Sequence, residues 1–460
     1  MNPTAIEGHL KLVLIQWTVI ILVAWVFGRL AKKIGQPLAV GEIFGGILLG
    51  PSALGLLWPE GMTWLFPPET QQSLQLLAKL GLILLMFQVG MEFDFGHLTT
   101  RSRTVVAVSA MGIAAPFALG LLIGPWLHRN FAPEAPMFGF LFFTCIALSI
   151  SALPIMGRIL LEMKLERTPL GVISISSAAI DDVLGWVMLA VATAMVTAAF
   201  SWGPLLAQVA GLGVFFALLM FVVGPALRRF WRCSFCLPAG DPGGKSANRL
   251  LACTLGIRSP VLGSAACAGR DECGLQPVAP SPREIPATFL AVLLATLFLC
   301  AIATNKLGVF SIFGAFLLGV ALHQEPTFVK AWREKFADFV IVALVPIFFT
   351  NTGLRTEIGS LSTGTAWLGC AVVLAAAVIG KLGGCYLGAR LTGQSRPEAA
   401  SIAALMNTRA LMGLVAINIG ADLGLLSRPL FTMFVIMALL TTVMTGPLLR
   451  RFLPADLKRA

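Results

Sequence analysis

Two adjacent carboxylates, Asp181 and Asp182, stand in a stretch that is otherwise apolar or small: Ser174-Ile175-Ser176-Ser177-Ala178-Ala179-Ile180-Asp181-Asp182-Val183-Leu184-Gly185-Trp186. An ionisable group in the middle of a membrane span costs roughly 3 kcal/mol or more, which makes each one a functional-site candidate. Successive residues of a helix point about 100° apart, so the two carboxylates do not share one partner. One can bind an ion while the other pairs with a cation. Ser177 and Ser174 lie four and seven residues before Asp181, on its face, and make that face polar. Ala178 holds the matching place before Asp182 and leaves room for an ion. Lys381, in Val378-Ile379-Gly380-Lys381-Leu382-Gly383, is the best partner for the pair. A buried ammonium without a carboxylate tends to shed its proton, and a Lys–Asp pair whose proton occupancy depends on a nearby cation is an exchange device. Lys79 lies near the outer end of its own apolar stretch, where snorkelling accounts for it.

Two polar interruptions accompany these charges. Ser149-Ile150-Ser151-Ala152-Leu153-Pro154 breaks one apolar stretch, because proline lacks a donor and kinks a helix. Met406-Asn407-Thr408-Arg409-Ala410 breaks another. Crossed broken helices bring half-helix dipoles and free carbonyls to the midplane, where they can hold ions. Ser151, Asn407, Thr408 and Arg409 are therefore ion-site partners, with Arg409 either paired to a carboxylate or neutralising helix ends. Glu42 is a candidate for a cytoplasmic vestibule. Glu92 and Asp94 cluster at a helix end, where solvation explains them as well as ion attraction does. His9, His97, His128 and His323 fall in or near loops, so no histidine relay is expected. No P-loop, dinucleotide fingerprint or nucleophile elbow is present, and no catalytic residue, resident metal or cofactor is expected.

The elements that must position these residues follow from composition. Of 460 residues, 57% are hydrophobic and 12% charged, with a mean hydropathy of +0.87. Soluble chains carry about 25% charge, so a cytosolic enzyme, a disordered chain and a secreted disulfide scaffold are excluded. The expectation is an all-α polytopic membrane protein of about thirteen transmembrane helices, over 12–30, 38–56, 75–95, 104–127, 137–161, 168–199, 203–227, 286–305, 308–322, 337–354, 364–389, 397–421 and 429–449. The first has no cleavable-leader character. With the N-terminus outside, alternation puts 25 of the 33 Lys and Arg residues in inside loops, five outside and three within spans. That bias satisfies the positive-inside rule and places the C-terminus in the cytoplasm. The net charge of +11 is thus topology, and nucleic acid is not an expected partner.

The chain also repeats itself. Ile43-Phe44-Gly45 with Leu48-Leu49-Gly50 recurs as Ile312-Phe313-Gly314 with Leu317-Leu318-Gly319, and the run from Gly90 to Leu98 recurs from Gly353 to Leu361. The order is the same and the membrane sense opposite, so the halves are two inverted repeats of six spans around a linker helix, a transporter signature. The expected division is 1–232 (first repeat plus linker helix), 233–283 (a cytoplasmic irregular loop rich in Cys, Gly and Pro) and 284–460 (second repeat). The loop holds five of the nine cysteines; Cys233-x-x-Cys236 lacks the second pair that a zinc site needs. Cys145, Cys300, Cys370 and Cys385 fall in spans as small packing residues.

These residues resemble the monovalent cation:proton antiporter-2 family, the sodium/proton and Kef-type potassium/proton exchangers. Ile180-Asp181-Asp182-Val183-Leu184-Gly185 is similar to its ion-site motif; Pro346-Ile347-Phe348-Phe349 through Arg355 and Asn407-Thr408-Arg409 through Gly420 are similar to later blocks. The resemblance implies a thirteen-helix fold with a dimerisation domain and a mobile ion-carrying core. It also implies that Asp182 is the main cation- and proton-binding carboxylate and that Asp181 pairs with Lys381. Ala410 and Gly413 depart from the family's usual Gly and Glu, and the chain ends at Ala460 without the nucleotide-binding regulatory domain of Kef-type systems. The expected function is secondary antiport of Na⁺ and/or K⁺ against H⁺ by a homodimer in a bacterial inner membrane, electrogenic if two carboxylate protons exchange. A non-transporting sensor or scaffold derived from an exchanger is the alternative. An intramembrane aspartyl protease would need its two aspartates on different helices.

Overall fold

The computed structural model describes residues 3–92, 102–165, 168–197, 202–234, 285–308, 310–454 and 457. Outside them lie nearly all of the 233–283 segment with Cys236, the stretch from Phe93 to Leu98 that closes the repeated element, and therefore Asp94 and His97. The described residues are helical, with no strand among them. The principal helices are α1 (Pro3–Lys33), α2 (Leu38–Leu48), α3 (Pro68–Met91), α4 (Ser102–Phe131), α5 (Met137–Ser149), α6 (Leu153–Glu162), α7 (Pro169–Thr197), α8 (Trp202–Leu218), α9 (Gly224–Ser234), α10 (Ala287–Lys306), α11 (Ser311–Leu322), α12 (Pro326–Trp332), α13 (Val345–Arg355), α14 (Gly364–Leu391), α15 (Arg396–Met406), α16 (Ala410–Asp422) and α17 (Arg428–Phe452).

Nine of the described helical segments are long and apolar enough to cross a membrane, or eleven if each of two bent pairs is one span; α2 and α11 are shorter apolar helices. The expected thirteen therefore requires that both short helices also cross. Prolines open several helices: Pro68, Pro169 and Pro326 are the first residues of α3, α7 and α12, where the missing N–H is one of the donors a helix start leaves unpaired anyway.

Several boundaries differ from the sequence expectation. The span expected over 38–56 stops at Leu48, because Gly50 and Pro51 follow and proline cannot continue the hydrogen-bond ladder; two short helices, Leu54–Leu57 and Pro59–Leu65, come next. The third span begins at Pro68 rather than 75, its polar first turns having masked it. Lys79 consequently lies three turns inside α3 and pairs with Asp422 at 3.4 Å while staying mostly exposed. The region expected as one span from 337 is a bent pair, Pro326–Ala337 and Val340–Ser360, turning by 41° through π-helical stretches at Arg333–Ala337 and Val340–Leu344.

Packing divides the chain into two units, one of 1–81, 95–205 and 342–460, the other of 82–94 and 206–341. In the larger, α4 and α14 pack together most extensively, and glycine permits it. A Cβ on Gly384 would lie 2.3 Å from the Met111 carbonyl oxygen, and one on Gly388 2.5 Å from that of Ala107. Small residues spaced by four let helix backbones approach in the way membrane helices favour. In the smaller unit, Phe87 meets Trp332 edge-on at 5.0 Å, and Trp231, Phe289 and Phe328 form an aromatic cluster.

Candidate functional site

All the charges singled out within spans, Lys79 apart, converge in the larger unit. Asp181 and Asp182 lie midway along α7, and both are buried. Lys381 Nζ stands 2.6 Å from Asp181 Oδ2, with neither side chain exposed. The ammonium also donates to the Ser149 carbonyl at 2.7 Å, at the last residue of α5. Two hydroxyls complete the Asp181 environment: Ser109 Oγ donates to Oδ1 at 2.6 Å and Ser151 Oγ to Oδ2 at 3.0 Å. A buried carboxylate of this kind is held by one cation and two hydroxyl donors, which is what offsets its desolvation.

Ser109, on α4, was not singled out in the sequence; a serine inside an apolar helix is too common to stand out. Ser174 and Ser177, in contrast, do not reach Asp181. The Ser177 hydroxyl donates to the Val105 carbonyl of α4 at 3.1 Å, and the Ser174 hydroxyl is buried with no hydrogen-bond partner. The polar face expected from helical spacing is thus spent on helix packing, and the polar contacts of Asp181 come from three other segments.

Both polar interruptions are real breaks. Between α5 and α6, Ile150 is extended, with φ −62° and ψ 135°. Between α15 and α16 the axis bends by 41°. The breaks meet: Ala152 N–H donates to the Thr408 carbonyl at 2.7 Å, and Ser151 Oγ to the Met406 carbonyl at 3.2 Å. Four half-helix ends are thereby gathered, and each has an answering group. At the carbonyl end of α5, Arg409 donates to the Leu148 carbonyl, and its other terminal nitrogen donates to the Ala377 carbonyl of α14 at 2.8 Å. Arg409 is fully buried; its hydrogen bonds go to helix carbonyls, and among the described residues no carboxylate lies within ion-pair distance of it. At the start of α16, the Arg409 and Ala410 amides both donate to Thr442 Oγ1, at 3.2 and 2.9 Å. Thr408 Oγ1 donates to the Leu405 carbonyl and contacts Thr445 Oγ1 at 3.1 Å. Asn407 Nδ2 donates to the Thr441 carbonyl at 3.3 Å, while its Oδ1 is buried without a partner.

Asp182 is the contrasting member of the pair. Both of its carboxylate oxygens are buried with no hydrogen-bond partner. The Leu153 amide at the start of α6 faces it, so the positive end of that half-helix adds to the compensation that the nearby Lys381 ammonium provides. Beside it is a cavity of about 10 Å³ walled by Ile150, Gly185, Trp186, Leu189, Met412 and Ala416, room for about one water-sized guest. A carboxylate in such surroundings is neutralised either by a proton or by a cation. Asp181 is already neutralised by Lys381, so Asp182 alone has that choice open. Glu42 lies half-buried on α2, which contributes no residue to the contacts above. Among the described residues no group of three or more His, Cys, Asp or Glu side chains could hold a metal ion.

Comparison with known proteins follows the same lines. The family model described as "Sodium/hydrogen exchanger, transmembrane" matches residues 18–243 and 279–454. The chain is 33% identical over 450 residues to the Na(+)/H(+) antiporter NhaS4 of Synechocystis, covering 97% of this chain and 98% of that one. It is 33% identical over 452 residues to Cation/H(+) antiporter 17 of Arabidopsis thaliana and 28% over 454 residues to K(+)/H(+) antiporter 1 of Saccharomyces cerevisiae. Each match covers 97% of this chain, which spans only about half the length of those two, 49% and 47%. Among solved structures, the sodium proton antiporter MjNhaP1 from Methanocaldococcus jannaschii superposes with a TM-score of 0.60 at 10% identity, over 96% of both chains, a likeness of fold.

Proposed function

The chain belongs to the sodium/hydrogen exchanger family, and we propose from that premise that it is a secondary antiporter of a monovalent cation, Na⁺ and/or K⁺, against H⁺. The observation that carries the mechanism is the asymmetry of the aspartate pair. Asp182 has two buried, unpartnered oxygens beside a small cavity; Asp181 is closed by Lys381, Ser109 and Ser151. Asp182 takes the cation on one face of the membrane and the proton on the other, and the two are mutually exclusive because they neutralise the same charge.

Lys381 and Asp181 are then the coupling pair. A cation at Asp182 adds positive charge beside the Lys381–Asp181 pair, so occupation of the two carboxylates is coupled. Exchange is electrogenic if both carboxylates exchange protons for one cation. Arg409, Thr408 and Asn407 keep the crossed half-helices together, so that the site moves as one body during alternating access. The names of the relatives support both Na⁺ and K⁺ as substrates; a sensor without transport would rest on the departures at Ala410 and Gly413. The repeated elements support two inverted repeats, the first with the linker helix in 1–232 and the second in 284–460. We further assign a homodimer in a bacterial inner membrane, N-terminus outside and C-terminus in the cytoplasm.

The test is proton flux in proteoliposomes on addition of Li⁺, Na⁺, K⁺ or Rb⁺ at several pH values. Wild-type protein should move protons in response to at least one of them, and Asp182→Asn should abolish the response. Undiminished flux through Asp182→Asn overturns the assignment, and absence of flux with every cation in the wild type overturns antiport.

A further inference from the structure

A second cavity, of about 1,020 Å³, opens at the end of the larger unit where the chain finishes α14, begins α15 and ends α17. That is the upper end of the range of roughly 300–1,000 Å³ usual for ligand pockets. Its lining changes character with depth. At the rim stand Arg396, the first residue of α15, and Arg451, in the last turn of α17. Both are exposed, and neither takes part in an ion pair or hydrogen bond among the described residues. Further in is Tyr386, the chain's one tyrosine. At the floor are Leu382 and Ala403, nine and seven residues from the helix ends at Leu391 and Arg396, so about 10 Å deeper at 1.5 Å per residue. The acidic lining residue, Glu398, is turned back on the start of its own helix, where its carboxylate accepts from the Ser395 amide and hydroxyl at 2.9 and 2.7 Å.

A cationic rim above an aromatic step and an apolar floor matches an amphiphile carrying an anion at one end. A free anion would leave the floor unfilled, and a neutral lipid would leave two arginines uncompensated. In a membrane-embedded chain these residues sit at one membrane surface, where clustered Lys and Arg draw anionic headgroups. We propose that this groove is a site for one anionic phospholipid, its phosphate held by Arg396 and Arg451 and an acyl chain laid along Leu382 and Ala403. Arg is suited to the headgroup because its planar fork engages two phosphate oxygens at once. The floor joins this site to the ion site. Leu382 follows Lys381 directly, and Ala403 lies three residues before Met406, whose carbonyl accepts from Ser151. The lipid therefore braces α14 and α15, the helices that carry Lys381 and the Met406 carbonyl. The inference needs only that the chain is embedded in a bilayer, so it stands apart from the antiport reading.

The experiment is intact-complex mass spectrometry of the purified full chain exchanged into micelles containing equal phosphatidylglycerol and phosphatidylcholine. Wild-type protein should retain one phosphatidylglycerol preferentially. Arg396→Gln/Arg451→Gln should lower that preference roughly 30-fold, since each basic residue near an anionic surface contributes about fivefold. Arg396→Lys/Arg451→Lys should keep most of it. The single Gln variants should each lose part, and they serve if the double variant does not fold. Arg390→Gln is the control: its guanidinium is engaged by the Gln394 carbonyl at the same end of α14, so preference should persist. Three results overturn the proposal: undiminished preference in the double variant, equal loss in Arg390→Gln (diffuse surface charge), or displacement of the lipid by millimolar sodium phosphate (a free-anion site).

Discussion

At the scale of the residue, the two aspartates differ in how their charge is met, and that difference predicts different mutational signatures. Asp181 and Lys381 form a fully buried pair. Removing one partner of such a pair strands a buried charge and costs about 3–5 kcal/mol, whereas replacing both with neutral groups of similar size is much less damaging. Lys381→Met alone should therefore destabilise the protein by that amount in a denaturant titration in micelles, and Asp181→Asn/Lys381→Met should recover most of it while remaining defective in coupling. A double variant as unstable as the single one would mean that the pair's contribution is not electrostatic. Asp182→Asn has no pair to strand and should leave stability within about 1 kcal/mol of wild type or raise it, because an amide is cheaper to bury than a carboxylate. The charged part of this site was legible because charge is scarce in the chain: Asp181, Asp182, Lys381 and Arg409 stand out against apolar neighbours. Ser109 was not, since its hydroxyl matters only through a fold that brings α4 beside α7. Ser174 and Ser177 misled for the same reason: spacing puts them on the face of Asp181, and the Val105 carbonyl takes one of them.

At the scale of the element, the repeat in the sequence reappears as a repeat in packing. Gly46 of α2 and Gly50 just beyond its end meet the region around Gly353 of α13: a Cβ on Gly46 would lie 2.7 Å from the Phe349 carbonyl oxygen, and one on Gly50 2.4 Å from that of Gly353. In the other unit, a Cβ on Gly319 of α11 would lie 2.2 Å from the Phe87 carbonyl oxygen, and one on Gly90 of α3 2.2 Å from that of Phe316. In each case the short helix of one half meets the second repeated element of the other half. Exchanging the repeated elements of the sequence turns one contact into the other. Gly46→Ala and Gly319→Ala should therefore each destabilise by about 1–3 kcal/mol, as overpacking does. Gly157→Ala, where nothing lies within 4 Å, should be neutral or stabilising by up to about 1 kcal/mol. Equal effects of all three in thermal unfolding would remove the close-packing account. The breaks at Ile150 and at Asn407–Arg409 were legible from Pro154 and from polar residues in an apolar run. The bend before Val340 was not: it lies between π-helical turns at Arg333–Ala337 and Val340–Leu344, a stretch in which no proline or glycine marks a break.

At the scale of the whole molecule, orientation hangs on the two short apolar helices, α2 and α11. An α2 of 11 residues rises about 16 Å at 1.5 Å per residue, half of a hydrocarbon layer of about 30 Å. Crossing therefore depends on the segment that follows it, through Leu54–Leu57 and Pro59–Leu65. The same holds for the 12 residues of α11. If both cross, the spans number thirteen and the basic residues segregate as the positive-inside rule requires; if one alone turns back, the chain's two ends fall on the same side. Single cysteines settle this in a background where the native ones are replaced by serine. Lys33→Cys and Glu60→Cys flank α2 at exposed positions, and Lys306→Cys and Lys330→Cys flank α11. In intact cells a membrane-impermeant maleimide should label Glu60→Cys and Lys306→Cys at once, and Lys33→Cys and Lys330→Cys only after permeabilisation. Labelling of both members of a pair from one side would make that short helix re-entrant, and would leave the larger charge bias of the chain to be explained by something other than alternating loops.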